Sequence, residues 1–179
     1  TRKEQEFINN NPSINAVYRE YWTPIEFKNK NDEFDGAARK VFDKISQITG
    51  LSFNFIPVKT KSEEIEALQN GKALIDTAFD NSLQAAEMYQ INVTKPYYTI
   101  PMEKISNPKV KNNISAFTYG SINPENLNKL ASTTNIMLKE TNKECIEAVR
   151  KGEAEHLYLN TTIRKYLFQT GNYKNLDIS

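Results

Sequence analysis

"IEALQNGKALID", Ile65–Asp76, reads as a helix that stops at Gly71 and hands over to a strand. Further on comes "IEAVRKGEAEHL", Ile146–Leu157, at an offset of 81 residues. Six residues are identical over the window Ser62–Ala73, with Ile, Glu, Ala, Gly and Ala in register. One helix–strand element occurring twice implies two α/β units of related design.

The flanking sequence extends both units. "SINAVYR" (13–19) alternates and is β-branched, as a strand does. "YWTPIEFKNKNDEFDG" reads as a polar loop with aromatics. In "AARKVFDKISQITG", Ala38, Val41, Phe42, Ile45 and Ile48 share one helical face and Gly50 closes it. "LSFNFIPV" is the next strand, "SEEIEALQNG" a helix with a Ser–x–Glu start, "ALIDTAF" a buried strand and "NSLQAAEMY" a short helix. "INVTKPYYTIPMEKIS" is extended, with prolines that confine it to an edge or a crossing. The pattern then restarts: strand 114–119, a helix opening on Pro124, strand "NIMLKE", helix "NKECIEAVRKG", strand "EHLYLN", helix "TTIRKYLFQTG" and a last strand "NLDIS". Strands alternating with helices imply mostly parallel sheets. Residues 1–100 are expected as a first lobe, 101–113 as a hinge crossing and 114–179 as a second lobe.

Composition removes several functions. There are 23 basic and 22 acidic residues, a net charge of +1, which leaves no footprint for nucleic acid. No apolar run approaches the ~20 residues of a membrane span. The start, "TRKEQEFINN", reads as a mature or excised fragment. The single cysteine, Cys145, forms no internal disulfide and reads as a small core residue beside Ile146 and Val149. His156, the one histidine, has no Ser or Asp motif beside it. Two such residues are too few for a zinc site, so neither metal nor cofactor is expected.

In its order of elements the chain resembles the type II periplasmic binding proteins, and within them the branch that binds amino acids and other small polar solutes. "YWTPIEFKNKNDEFDGAARKVFDKISQITGLSFNFIPV" resembles that family's opening, and "ALQNGKALID" its helix–Gly–Lys–strand. "INVTKPYY" is similar to its F–S–x–P–Y–Y, with Thr94 in the Ser place and a departure at the Phe. "ISAFTYGSINPENL" resembles the start of its second lobe, and "AVRKGEAEHLYLN" a later strand. The resemblance implies a two-lobed α/β fold holding a solute between lobes that close by a hinge, helix N-termini facing the ligand. It also implies a return crossing to the first lobe. The chain stops at "NLDIS", where that crossing would begin, and so reads as a fragment or a shortened variant.

The resemblance further implies that amino-acid binders hold the α-carboxylate with an Arg just before the F–S–x–P–Y–Y segment, whose fork suits that group. Here no Arg lies between Lys40 and Val149, and Glu87 stands about where it belongs. The Asp that holds the α-amino group is replaced by Asn160. The remaining candidates for ligand contact are Trp22, Phe27, Asp76, Asp80, Gly120, Ser121, Asn160 and Thr161. Trp22 and Phe27 wall the first-lobe site or pack its core; Asp80 contacts ligand or caps a helix; Ser121 serves a helix start or a turn; Thr161 contacts ligand or caps. The first-lobe wall then offers an indole and carboxylates but no guanidinium.

These residues point to an extracytoplasmic recognition domain for a small solute, the sensor part of a bacterial membrane receptor. A transporter's binding component and a ligand-independent interaction module are the other readings. Catalysis would require a positioned acid–base pair, and neither Glu87 nor Asp80 has an evident partner. Ordinary amino acids are expected to bind no tighter than roughly 100 μM, because burying their charges unpaired costs several kcal/mol. The expected ligand is neutral, cationic or a protein.

Overall fold

A computed structural model of the chain describes residues 1–79, 83–118, 121 and 124–179, with side chains at all of these but 83–85 and 124–127. The chain divides into two compact units, Thr1–Lys95 and Pro96–Ser179.

Unit 1 opens with helix α1 (Arg2–Asn10), closed by a Thr1–Glu4 capping box and burying no residue. Strand β1 (Ile14–Arg19) lies in the centre of a parallel sheet, between β5 (Phe53–Val58) and β6 (Ile75–Asp76). Pro57 is tolerated because β5 is an edge. Successive β1 side chains face opposite ways. Tyr18 stacks on Phe34 at 4.1 Å, and Phe34 and helix α2 (Ala37–Thr49), through Phe42, meet Phe55 and Phe53. Val17 packs on the other side with Val58, Ala67 and Ala73, under helix α3 (Lys61–Gln69). Helix α4 (Leu83–Tyr89) follows.

Several expectations change here. Residues 21–35 are not simply a loop: β2 (Tyr21–Trp22), β3 (Glu26–Lys28) and β4 (Phe34–Asp35) form a small antiparallel sheet, too short to leave a periodic pattern. Ile48 is 72% exposed in the last turn of α2, so the packed face rests on Ala38 and Phe42. The N-cap of α3 is Thr60, not Ser62, in a capping box with Glu63. The strand expected over 73–79 is reduced to Ile75–Asp76, because the Ala78 N–H turns to Asp76 Oδ1 (2.9 Å) instead of a ladder partner.

Unit 2 carries a mixed sheet in the order β11 (Asp177–Ile178), β7 (Met102–Ser106), β10 (His156–Asn160), β8 (Ile114–Thr118), β9 (Asn135–Lys139). The segment expected as a crossing thus contains β7, a sheet strand antiparallel to both neighbours, with Ile105 fully buried. The prolines at 96 and 101 precede it and cost the ladder nothing. Helices α5 (Pro124–Ala131), α6 (Asn142–Lys151) and α7 (Thr161–Thr170) complete the unit. Its core includes Ile105, Ile146, Val149, Leu157, Leu159 and Ile163.

The sequence repeat is a structural repeat. Strands β5, β1 and β6 with α3 in unit 1 correspond to β9, β8 and β10 with α6 in unit 2. Thr60 and Thr141 cap the two helices, each boxed by a Glu three residues on. Gly71 and Gly152 follow the helix ends at φ +75° and +84°, a conformation that costs L side chains but not glycine. The next turn closes alike, Ala73 N–H on Ala67 O (2.8 Å) and Ala154 N–H on Ala148 O (3.3 Å).

Candidate functional site

The carboxyl ends of parallel strands are where open α/β sheets place ligands. In unit 1 that edge is charged. Arg19 ends β1 on the face that Val17 shares with α3. Its Nε donates to Glu26 Oε1 at 2.9 Å, and its terminal nitrogen donates to the Ala78 carbonyl at 3.3 Å. The guanidinium lies 3.6 Å over the Trp22 ring. Glu26 is fully buried, and its other oxygen accepts from the Thr77 hydroxyl at 2.5 Å.

Helix α3 brings a second pair to the same place. Lys61 Nζ lies 2.6 Å from Glu64 Oε2, and Glu64 Oε1 lies 3.3 Å from Arg19 Nε. Glu64 is fully buried and within ion-pair range of both cations, yet aligned for a hydrogen bond with neither among the described residues. Lys61 also sits 4.0 Å over the Phe79 ring. Asp76, at the end of β6, accepts from the Ala78 N–H through Oδ1. Its Oδ2 is buried and has no hydrogen-bond partner among the described residues. Burial pushes the Asp76 carboxyl well above the usual carboxylate range; Glu64 and Glu26 add to the rise, and Lys61 and Arg19 oppose it. Burial raises Glu26 as well, against the pull of Arg19.

Of the residues expected to touch ligand, Trp22 and Asp76 both border this cluster. Phe27 is partly exposed in β3, paired to Tyr21 and Asp35. Ser121, Asn160 and Thr161 belong to unit 2. Ser121 makes a turn, its hydroxyl donating to the Thr118 carbonyl at 2.8 Å. Asn160, not Thr161, caps α7, accepting from the Ile163 N–H at 2.8 Å, and Thr161 donates to the Pro101 carbonyl through its N–H and hydroxyl. Asp80 and Gly120 lie outside the described residues. Glu87 is exposed on α4. The sequence reading placed no guanidinium beside Trp22, and in the structure Arg19 stands against it. Arg19 was missed because a strand ending in Arg looks like a strand meeting solvent.

The other reactive groups are quiet. Burial pushes the Cys145 thiol up to about 12, which keeps it protonated. His156 Nδ1 meets Ser106 Oγ across the strands at 3.0 Å, and its Nε2 lies 3.3 Å from the carboxylate of its chain neighbour Glu155. Among the described residues no group of three or more His, Cys, Asp or Glu is placed to hold a metal ion. No helix of the described residues is long and apolar enough to cross a membrane.

Two α/β units, each a parallel strand triplet with its helices, define a domain of the type II periplasmic-binding-protein fold. The chain belongs to the bacterial extracellular solute-binding proteins, family 3, which it matches over residues 14–177. Solved structures agree on the fold. The periplasmic VFT2 domain of Bordetella pertussis BvgS aligns at TM-score 0.83 and 19% identity, over 99% of this chain and 79% of that one. An ancestral arginine-binding protein bound to arginine aligns at 0.76 and 17%, over 94% and 78%. The ancestral amino acid-binding protein AncCDT-1, a precursor of cyclohexadienyl dehydratase, aligns at 0.73 and 17%, over 98% and 80%. No curated protein matches the chain in sequence.

Proposed function

We propose that the chain is an extracytoplasmic recognition domain that binds a small solute at the strand ends of unit 1, and that it serves as the sensor part of a bacterial membrane receptor. One observation carries the reading. At the positions where unit 1 has the buried Glu64 and the partly buried Asp76, whose Oδ2 is buried, the repeat in unit 2 has the buried Cys145 and Leu157. The strand register pairs Val17 with Asp76 and Ala116 with Leu157, so Arg19 corresponds to Thr118. The fold therefore closes without charge at these places. Ionisable groups kept where the fold does not require them, one of them, Asp76, with its pKa raised by burial, mark a functional site.

Recognition rather than catalysis suits the cluster, since each cation is already tied to a carboxylate. The sensor role is favoured over a transporter component by the missing amino-acid anchors, Glu87 and Asn160 standing where an Arg and an Asp are expected. The chain's single tryptophan is part of the cluster, so its emission reports binding directly. A solute library scanned by Trp22 fluorescence and thermal shift is expected to contain solutes that change both, because a ligand of the folded state raises its stability. The twenty standard amino acids are expected to give nothing tighter than roughly 100 μM by calorimetry. A thermal shift with no change in Trp22 emission would move the site away from this cluster.

A further inference from the structure

We propose that the strand-end cluster of unit 1 selects an organic cation that carries no carboxylate, an amine or a guanidine, with Asp76 as its counter-charge. This rests on reading the cluster as the solute site. Among the described residues, three carboxylates, Glu26, Glu64 and Asp76, meet two cations, Arg19 and Lys61. Buried charge is costly unless balanced, and this set is one cation short. Asp76 holds the surplus: its Oδ2 is buried and has no hydrogen-bond partner among the described residues, while the residue as a whole remains partly exposed and so borders solvent.

The same geometry turns carboxylates away. The guanidinium that would grip a solute carboxylate already grips Glu26, whose far oxygen is fixed by Thr77. An incoming carboxylate would compete with a fully buried internal one and would add negative charge to a set that already has an excess. An incoming cation brings the set to neutrality. Aromatic rings supply the rest, since cations stack on aromatic faces. Trp22 and Phe79 already bear the cluster's two internal cations at 3.6 and 4.0 Å, and Trp22 is partly exposed.

Burial raises the Asp76 carboxyl, so a proton is held at the counter-charge position to higher pH than on a free carboxylate. The groups that face Asp76 are Glu64 and Lys61 from α3, Arg19 from β1 and Glu26 from β3, and burial among them favours its neutral form. A bound cation favours the carboxylate instead. Binding then expels a proton, and affinity rises with pH.

Matched pairs of probes test this. Agmatine and cadaverine carry the cationic groups of arginine and lysine without the carboxylate. Calorimetry on the whole chain is expected to show agmatine or cadaverine binding at least about tenfold tighter than the matching amino acid. The binding enthalpy is expected to differ between phosphate and Tris buffers by the heat of ionising about one buffer molecule. Asp76→Asn keeps the acceptor for Ala78 and is expected to lose at least about tenfold in affinity and the proton release together. Asp76→Leu, which places here the residue that unit 2 uses, is the second variant, and Trp22 emission and far-ultraviolet dichroism check that both fold. Equal or tighter binding of the amino acids, or unchanged amine affinity in both folded variants, overturns the proposal. If neither amine binds while another solute alters Trp22 emission, the ligand class is wrong and solute recognition at the cluster stands. If no solute in the library alters Trp22, both readings fail.

Discussion

Position for position, the two copies of the repeated element solve the same packing problem with different chemistry. In unit 2, Cys145 on α6 and Leu157 on β10 fill the space between helix and sheet, 1% and 0% exposed. In unit 1 the same places hold Glu64 and Asp76, and Glu64 is as deeply buried as Leu157. Backbone caps, glycine stops and turn hydrogen bonds agree between the copies, so the backbone does not dictate the difference. Charge was placed in one copy at a cost in desolvation. Unit 2 keeps its ion pairs nearer the surface, as in the two-pronged Arg164–Glu103 contact at 2.8 and 3.1 Å, both side chains partly exposed.

The largest test of this contrast is to break one pair in each unit. Arg19→Met leaves Glu26 and Glu64 buried with too little counter-charge, and is expected to cost about 3–5 kcal/mol. Arg164→Met removes a partly exposed partner and is expected to cost no more than about 1 kcal/mol. Urea unfolding, with hydrogen exchange read separately for each unit, measures both. Comparable losses would mean that the unit 1 cluster is no more dependent on its charges than a surface pair.

A smaller effect of opposite sign is expected at Asp76. Asp76→Asn keeps the Ala78 hydrogen bond and cannot ionise, so it is expected to match the parent chain where Asp76 is protonated and to be more stable, by about 1–2 kcal/mol, once pH rises through the folded value. A loss of stability by thermal unfolding would show that the carboxylate is satisfied as it stands.

The glycine stops sharpen the common part of the comparison. Gly71→Ala and Gly152→Ala each force an L residue to positive φ and are expected to cost about 1 kcal/mol. Gly152→Ala is expected to cost more, because its Cβ would meet Val110 Cγ2 at 3.2 Å whereas Gly71 faces open space. Equal or reversed effects in chemical denaturation would separate the two stops.

The smallest effect is a difference of sign with pH. Asp76 has a raised pKa in the folded state, so its contribution is fully present below its unfolded pKa and is lost as pH rises through the folded value. In unit 2 the carboxylate shifts run the other way. Glu103 is lowered by hydrogen bonds from Arg164, Glu147 by those from Arg150 and Glu155 by the Asn113 N–H. Their contributions are present above the ordinary carboxylate range and lost on acidification. Burial lowers His156, with Lys104 adding to it, so its contribution is present above its unfolded value and falls away as pH drops. Amide exchange is therefore expected to speed up first in unit 2 on acidification and first in unit 1 on alkalinisation. The same order in both directions would contradict the assignment.

Legibility followed range along the chain. The repeat, its glycines, the helix over 37–49 and the order of strands and helices were readable, because periodicity, capping residues and positive-φ glycines act over a few neighbours. The antiparallel strands of residues 21–35 were not, since two or three residues carry no period. Neither was β7, whose place in the unit 2 sheet depends on pairing with β10 some fifty residues on. Trp22 and Asp76 were picked out as residue types suited to a ligand, but nothing local joined them.

What the sequence determined by itself was the class of fold and its duplication, since these rest on hydrophobic pattern and turn chemistry written in adjacent residues. What only the tertiary structure decided was the charged cluster at the strand ends of unit 1. Arg19, Glu26, Lys61, Glu64 and Asp76 come from two strands of one sheet, a strand of another and the first turn of a helix. Burial among neighbouring charges raises Glu26 and Asp76 there, because Coulomb interaction and desolvation depend on distance through space and not on separation along the chain.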